Sequence, residues 1–430
     1  MTAVPPASAS LSDWLAYLEA RNREPIVLGL DRVRAVRAAL GLDPAFPIVT
    51  VGGTNGKGST CAFLEAILLA AGYRTGCYTS PHLLRFNERI RVGGTEATDT
   101  DIVDTLARVE AARRDIPLTY FEQGTLAAML LFQRAGVDVA VLEVGLGGRL
   151  DAVNVWDADC ALVTSVDLDH QQFLGNDRES IGFEKAGIFR AGRPAICGDL
   201  QPPESLLKHA RELDVPLRRL DGDIRVEIQE GHWACRVADA AFPALPRPAM
   251  AGAHQYGNAA CALAALYSLR ERLPVSMAAI RQGVAGARQP GRFQVVGHAP
   301  LRILDVAHNP HAAQVLAANL ADLPPTGRVF AVFSLLADKD LEGVVAPLRA
   351  RVVHWHVAGL DVSRGLSGEV LQSRLSALGC AATRHASIAE AWRTACLRAE
   401  PADTILAFGS FHTVAGVLAE LNGDRPPIHG

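Results

Sequence analysis

Glycines, a lysine and two hydroxyls follow one another in Gly52-Gly53-Thr54-Asn55-Gly56-Lys57-Gly58-Ser59-Thr60, a pattern suited to holding phosphate. The glycines let successive backbone N–H groups turn toward one anion, and Lys57 neutralises β/γ charge. Ser59 or Thr60 offers a hydroxyl to Mg²⁺. The β-branched run at 48–51 reads as a strand and the apolar run at 61–69 as a buried helix, so the positive end of the helix joins the cradle. The match to G-x-x-x-x-G-K-[ST] is imperfect. Val51 stands where the first glycine belongs, and Gly58 separates Lys57 from Ser59. A glycine-rich turn with a surface lysine is the alternative; the flanking strand and helix favour a nucleotide site.

Further groups with chemical potential sit at the ends of other apolar runs. Glu143 closes 137–144 and is either a solvated strand terminus or a Mg²⁺ ligand. The glycine-rich exit Gly145-Leu146-Gly147-Gly148 would let backbone approach a ligand. His170 follows the run 160–166 and is structural or a ligand, while Lys185, by its own neighbours, is a solvated helix lysine. Arg292 is a surface residue or a phosphate clamp. Asp305, His308 and Asn309 end a strand near 301–306, and Ser410 caps the helix after the last strand, a role compatible with ligand binding.

The elements that must position these groups alternate. Runs near 48–51, 74–79, 137–144 and 160–166 read as strands, separated by helical patterns that include 99–114 and 122–134. Such alternation predicts an α/β fold with a mostly parallel sheet wound on both faces, whose ligands lie outside the carboxyl ends of the strands. Helices at 8–20, capped by Ser10 or Ser12, and around Val33, Val36 and Leu40 precede it. The pattern loosens over 191–249, where 224–228 and 232–237 suggest a small antiparallel excursion, and a helix over 255–273 closes it. Beyond Pro290 a smaller α/β unit is expected: strands 301–306, 328–333, 352–358 and 404–408 with helices 311–320, 341–348, 367–377 and 411–421. The domains are therefore set at 1–289 and 290–430.

Composition narrows the function class. A formal charge of −4 over 430 residues carries no polybasic signature, which argues against nucleic acid or an anionic membrane as partner. No apolar run reaches the ~18 residues of a membrane helix, and the N-terminal ten residues lack the features of a secretory signal. Eight scattered cysteines contain no C-x-x-C pair and read as buried thiols of a cytoplasmic protein.

The ordered set Gly53–Thr60, Ser80-Pro81-His82-Leu83, Glu143–Asp151, Glu184-Lys185-Ala186-Gly187-Ile188, Pro290-Gly291-Arg292-Phe293, Asp305–Pro310 and Gly409–Thr413 resembles the bacterial dihydrofolate synthase/folylpolyglutamate synthases, relatives of the Mur ligases. The resemblance spans residues 14 to about 421 and covers the imperfect phosphate loop, since this superfamily uses G-T-N-G-K-x-[ST]. It implies a P-loop NTPase-like domain followed by a Rossmann-like C-terminal glutamate ligase domain. It implies that Thr54, Asn55, Gly56, Lys57, Gly58, Ser59 and Thr60 hold ATP, with Asn258, Arg292 and Asp305 reaching it across a domain cleft. Ser59, Ser80, Glu143, His170 and Lys185 match metal ligands for two Mg²⁺ ions, Lys185 as a CO₂-derived carbamate. That reverses the reading of Lys185 from its neighbours alone. Val27, Leu28, Gly29 and Leu30, Thr119, Tyr120, Phe121 and Glu122, and Leu150, Asp151 and Ala152 match the pterin-holding segments. His308 and Ser410 are candidates for glutamate.

The chemistry implied is ATP-dependent ligation of L-glutamate to 7,8-dihydropteroate and to reduced folates through an acyl phosphate, by a monomer whose substrates are small molecules. Hinge closure is expected near 288–298. Three alternatives remain at this point: a folylpolyglutamate synthase that does not accept dihydropteroate, a Mur-type or cyanophycin-type ligase, and a nucleotide switch acting on a protein partner.

Overall fold

The computed structural model describes residues 3–21, 26–324, 327–362 and 364–423. The chain divides into two compact units. The first comprises 1–81, 86–249 and 256–288; the second comprises 289–430 and takes two short segments, 82–85 and 250–255, from the N-terminal part of the chain.

The first unit is built on strands β1 (Ile48–Gly52), β2 (Thr75–Tyr78), β3 (Ile90–Val92), β4 (Thr95–Glu96), β5 (Val139–Glu143), β6 (Cys160–Val163), β7 (Ala195–Cys197) and β8 (Leu217–Arg219), ordered β4-β3-β2-β5-β1-β6-β7-β8. The six strands from β2 to β8 across the sheet run parallel, and β3 and β4 add an antiparallel edge. All five residues of β1 and of β5 are buried, which is why these strands are continuous apolar runs rather than alternating ones. Helices α1 (Leu11–Arg21), α2 (Asp31–Leu40), α3 (Lys57–Ala70), α4 (Asp99–Arg113), α5 (Tyr120–Ala135), α6 (Gln171–Leu174), α7 (Arg178–Ala186), α8 (Glu204–Glu212), α9 (His254–Ser268) and α10 (Met277–Gly286) complete it. Trp14, Leu18, Val33 and Val36 of α1 and α2 join the main core with Leu126 and Phe132 of α5; full burial of each such side chain stabilises by about 1.5–3 kcal/mol. Ser10 caps α1, its Oγ accepting from Asp13 N at 3.2 Å. A three-stranded antiparallel sheet, β9 (Ile224–Ile228), β10 (His232–Val237) and β11 (Ala240–Pro246), accounts for the loosened pattern.

Position in the sheet selects the site. From β1 the chain crosses to β2 on one side, and from β6 it moves to β7 on the other. The crevice at the carboxyl ends of these adjacent strands is therefore a topological switch point, where such sheets bind ligands.

The second unit holds β12 (Gln294–His298), β13 (Leu301–Leu304), β14 (Val329–Phe333), β15 (Val352–Ala358), β16 (Ala382–His385) and β17 (Thr404–Phe408), ordered β12-β13-β17-β14-β15-β16 and parallel apart from β12. Helices α11 (Pro310–Ala321), α12 (Leu341–Val345), α13 (Gly368–Ala377), α14 (Ile388–Arg398) and α15 (Phe411–Asn422) cover it. Phe333 packs against Phe408 and Trp355 with ring centroids 5.0 and 5.4 Å apart.

The structure departs from the sequence reading at several elements. The strand expected over 160–166 stops at Val163, and that expected over 301–306 stops at Leu304, because the residues that follow turn to bond neighbouring loops. The helix expected over 255–273 ends at Ser268. Strand β16 and helix α14 carry no strong sequence signal, since β16 is a partly exposed edge strand.

Candidate active site

The phosphate loop leaves β1 at Gly52 and enters α3 at Lys57. Gly53 has φ +141° and Gly56 φ +90°, conformations that glycine alone adopts without strain. A Cβ on Gly53 would stand 1.9 Å from Thr164 Oγ1, and one on Gly56 2.8 Å from Asn258 Oδ1. The loop is thus pressed against the end of β6 on one side and against α9 on the other, and Asn258 is brought to it. Lys57 Nζ donates to Gly53 O at 3.1 Å and Thr54 O at 3.2 Å, so the ammonium lies folded over the loop. Ser59 and Thr60 are buried. Thr60 Oγ1 has no hydrogen-bond partner among the described residues.

Glu143, at the end of β5 and opposite Val51 of β1, is buried. Its Oε2 accepts from Ser80 N at 3.2 Å, which brings Ser80 and Glu143 together at the same sheet edge. His170 is half-buried, has φ +50°, and stands at the N-terminus of the short helix α6. Its N–H donates to Asp169 Oδ1 at 2.9 Å.

Lys185 is not the solvated lysine that its sequence neighbours suggest; only 4% of it is exposed. Burial, reinforced by the positive charge of Lys57, pulls its amine down to about 7, against the opposing pull of Asp169 and Asp151. The glycine-rich exit of β5 packs on the end of α7, the helix that carries Lys185. A Cβ on Gly148 would stand 2.8 Å from Glu184 O, Arg149 N donates to that oxygen at 2.8 Å, and the Arg149 guanidinium pairs with the Glu184 carboxylate at 2.8 Å. The loop thus packs against the last turn of α7, next to Lys185.

Asp151 ends that loop. Its carboxylate accepts from Leu146 N at 2.8 Å and from Val153 N at 3.0 Å. Burial nevertheless pushes it up to about 6, opposed by these donors and by Lys57. Leu150 O accepts from Gly29 N at 3.4 Å, joining the segment 27–30 to 150–152. Arg32 completes the link, donating to Val27 O at 2.7 Å and to Glu122 Oε1 at 2.8 Å. Glu122 and Thr119 form a capping box at the start of α5. Phe121 packs on Gly145, where a Cβ would stand 2.7 Å from the ring. The three segments read as pterin-holding therefore surround one loop.

In the second unit, Asp305 Oδ2 accepts from Phe293 N and Oδ1 from Ala307 N, both at 2.8 Å. Burial raises this carboxyl above its usual range, while the Arg292 guanidinium acts in the opposite direction. Arg292 lies over the Phe411 ring at 5.5 Å, and His308 stands 6.0 Å from the same ring. Ser410 Oγ accepts from Thr413 N at 3.0 Å, and Asn309 Oδ1 accepts from Ala312 N at 2.9 Å. Asp305, Arg292, His308 and Ser410 are thus gathered at the carboxyl ends of β13 and β17.

A Mur ligase middle domain matches residues 51–198, and a Mur ligase glutamate ligase domain matches 291–411. The dihydrofolate synthase/folylpolyglutamate synthase of Escherichia coli is 48% identical over 422 residues, 98% of each chain. A solved structure of E. coli FolC with DHPP and ADP superposes with a TM-score of 0.93 at 47% identity, covering 97% of this chain and 99% of that one. A bifunctional folylpolyglutamate synthase/dihydrofolate synthase with Mn, AMPPNP and L-glutamate bound gives a TM-score of 0.91 at 47% identity, covering 98% and 100%. The chain belongs to the dihydrofolate synthase/folylpolyglutamate synthase family. As an ATP-dependent ligase of this family it presents a donor set suited to a divalent cation: a buried carboxylate, buried hydroxyls and an imidazole. Among the described residues no three His, Cys, Asp or Glu side chains form a metal cluster. Among the described residues no helix is long and apolar enough to cross a membrane.

The sequence reading missed several residues of this edge. Thr164, Ser165, Asp167 and Asp169 follow β6 and bond the phosphate loop or act on Lys185. Two hydroxyls and two acids closing an apolar run were the available signal.

Proposed function

We propose that the chain joins L-glutamate to 7,8-dihydropteroate, forming dihydrofolate, and adds glutamate to reduced folates, spending ATP through an acyl phosphate in the cytoplasm. The observation that carries this reading is the gathering at one sheet edge of the phosphate loop, the Glu143 carboxylate and the buried Lys185 amine. Family membership supplies the substrates.

In this reading the residues of the loop from Thr54 to Thr60 hold the ATP phosphates. Lys57 turns from the loop carbonyls to the γ-phosphate, where it stabilises charge that develops as the substrate carboxylate attacks phosphorus and ADP leaves. The glutamate amine then attacks the acyl carbon, and phosphate leaves from the tetrahedral intermediate. Ser59, Ser80, Glu143 and His170 are the residues that would hold Mg²⁺, which when bound polarises the phosphoryl oxygens. Asn258, Arg292 and Asp305 are assigned to ATP, and His308 and Ser410 to glutamate. Segments 27–30, 119–122 and 150–152 are assigned to the pterin.

Lys185 enters as a carbamate. An amine held near 7 is substantially neutral at physiological pH, and only the neutral form attacks CO₂. The nitrogen lone pair forms an N–C bond, one C=O pair moves onto oxygen, and the nitrogen proton passes to water. A cation that burial disfavours becomes an anion next to Lys57.

The test is phosphate release by the purified chain with Mg·ATP and L-glutamate, with and without 7,8-dihydropteroate, then with a reduced folate. Release that requires both dihydropteroate and glutamate, with dihydrofolate as product, is expected. Release only with the folate removes the synthase half of the reading, and silence with both removes the whole.

A further inference from the structure

The segment after β6 has bonds on two sides. Toward the phosphate loop, Thr164 Oγ1 donates to Asn55 O at 2.6 Å, and Ser165 Oγ donates to the same oxygen at 3.1 Å and accepts from Asn55 N at 3.0 Å. Thr54 N donates to Ser165 O at 2.7 Å. Thr54 Oγ1 accepts from Asp167 N at 3.0 Å and donates to Asp167 O at 3.1 Å. Residues 164, 165 and 167 thus grip Thr54 and Asn55, two residues of the loop itself.

Away from the loop, the peptide groups of Val166 are held by one ion pair. Asp199 Oδ2 accepts from Val166 N at 2.6 Å, and Arg178 Nε donates to Val166 O at 2.9 Å. The guanidinium meets the carboxylate at 3.1 Å. Arg178 Nη2 also donates to Gln201 O at 2.9 Å, and Asp199 Oδ1 accepts from Gln201 N at 2.9 Å. Asp199 is only 8% exposed. A carboxylate so buried, whose Oδ2 accepts from Val166 N and from Arg178 Nη2 beside the phosphate loop, is a strong constraint on that backbone. Arg178 is the first residue of α7, the helix that carries Lys185.

We propose that Arg178 and Asp199 are positioning residues for nucleotide binding. They fix the Val166 backbone, and residues 164, 165 and 167 transmit that position to Thr54 and Asn55. The proposal rests on the nucleotide role given to the loop above, and assigns its geometry to two charged side chains that bond each other and the backbone of Val166 and Gln201.

The experiment is calorimetric binding of Mg·ADP to the full chain, with the KM for dihydropteroate and thermal unfolding measured in parallel. Asp199→Asn places an amide against Val166 N–H and is expected to weaken ADP about tenfold, while the KM for dihydropteroate moves less than twofold. Arg178→Lys retains the positive charge but not the forked donors, and is expected to weaken ADP about threefold; it serves if Asp199→Asn fails to fold. Thr164→Val is expected to weaken ADP as well, and Thr164→Ser to restore it. Combined with Thr164→Val, Asp199→Asn should cost less than the product of the two single losses, because the effect of Asp199 reaches Asn55 in part through Thr164. ADP affinity unchanged in folded Asp199→Asn and Arg178→Lys, or losses that multiply in the double variant, would overturn the proposal alone. No ADP binding by the wild-type chain would overturn the nucleotide reading and this proposal with it.

Discussion

The carboxyl edges of the two parallel sheets carry similar residue types and use them differently. In the first unit, ionisable groups are buried against their preference: Lys185 is pulled down to about 7 and Asp151 pushed up to about 6. The glycines there are fixed by close approach, at Gly53 and Gly148 above all. In the second unit Asp305 resembles Asp151, a buried carboxyl raised above its range while bonding two backbone N–H groups, but Asn309 and Ser410 are spent on capping helices. An edge that stores unfavourable charge states is arranged for reaction. One whose hydroxyl and amide already cap helices is, at those residues, arranged to hold a shape. Under the function proposed above, the first edge would make the bond and the second would present the amino acid.

The sharpest way to break this contrast is Lys185→Met. Ligation should fall by at least about 10³-fold, the scale of losing a central electrostatic group, measured as glutamate-dependent phosphate release. The same variant should be more stable than wild type in carbonate-free buffer at pH 6. Burial holds the folded amine down to about 7, against 10.5 for an unperturbed lysine. Below pH 7 it is charged in both states and its burial destabilises in full. Between about 7 and 10.5 the unfolded chain binds more protons, so wild-type stability rises with pH. Above that window the penalty is gone. The penalty corresponds to at most about 5 kcal/mol, so the advantage of the methionine should be largest at pH 6 and shrink toward pH 10. A variant that loses activity and loses stability equally at both pH values would place Lys185 among ordinary structural residues.

Gly53→Ala probes the close approach at the first edge. Its Cβ would meet Thr164 Oγ1 at 1.9 Å and the residue would be held at φ +141°. Strain of this kind is about 1–3 kcal/mol, and the loop must move as well. The KM for ATP should rise about 10- to 100-fold with the KM for glutamate nearly unchanged.

Asp305→Ala probes the second edge. It leaves Phe293 N–H and Ala307 N–H without their acceptor, and should lower stability by about 1–3 kcal/mol by chemical denaturation. Maximal turnover at saturating substrates should fall less than in Lys185→Met.

How much of each edge was legible follows from what makes it. The phosphate loop could be read because its determinants are contiguous: glycines, Lys57 and hydroxyls between a strand and a helix. The parallel architecture could be read for the same reason, since burial on both faces leaves unbroken apolar runs such as 139–143. Lys185 could not be read from its own helix. Its burial is set by the tertiary fold, in which segments distant in sequence, Gly148 and Arg149 among them, pack onto the last turn of α7. Only the family resemblance singled it out. Arg178 and Asp199 were invisible for a related reason, because each is an unremarkable surface-type residue until β6 and β7 bring Val166 between them. The length of a strand was misread where its last residues had loop partners, as at Thr164 and Asp305.

Ser410→Ala sharpens the comparison at its smallest scale. In the structure the hydroxyl accepts from Thr413 N at 3.0 Å and lies 2.7 Å from Thr413 Oγ1, so it already serves as the cap of α15. Loss of such a cap costs about 1 kcal/mol. If the second edge only shapes the place where glutamate is held, the variant should show that stability loss and a glutamate KM raised about two- to fivefold, with the KM for ATP unchanged. A larger effect on glutamate than the cap explains would mean that the hydroxyl leaves Thr413 and bonds the amino acid directly. The second edge would then resemble the first, with a polar group withheld from local structure for use on substrate.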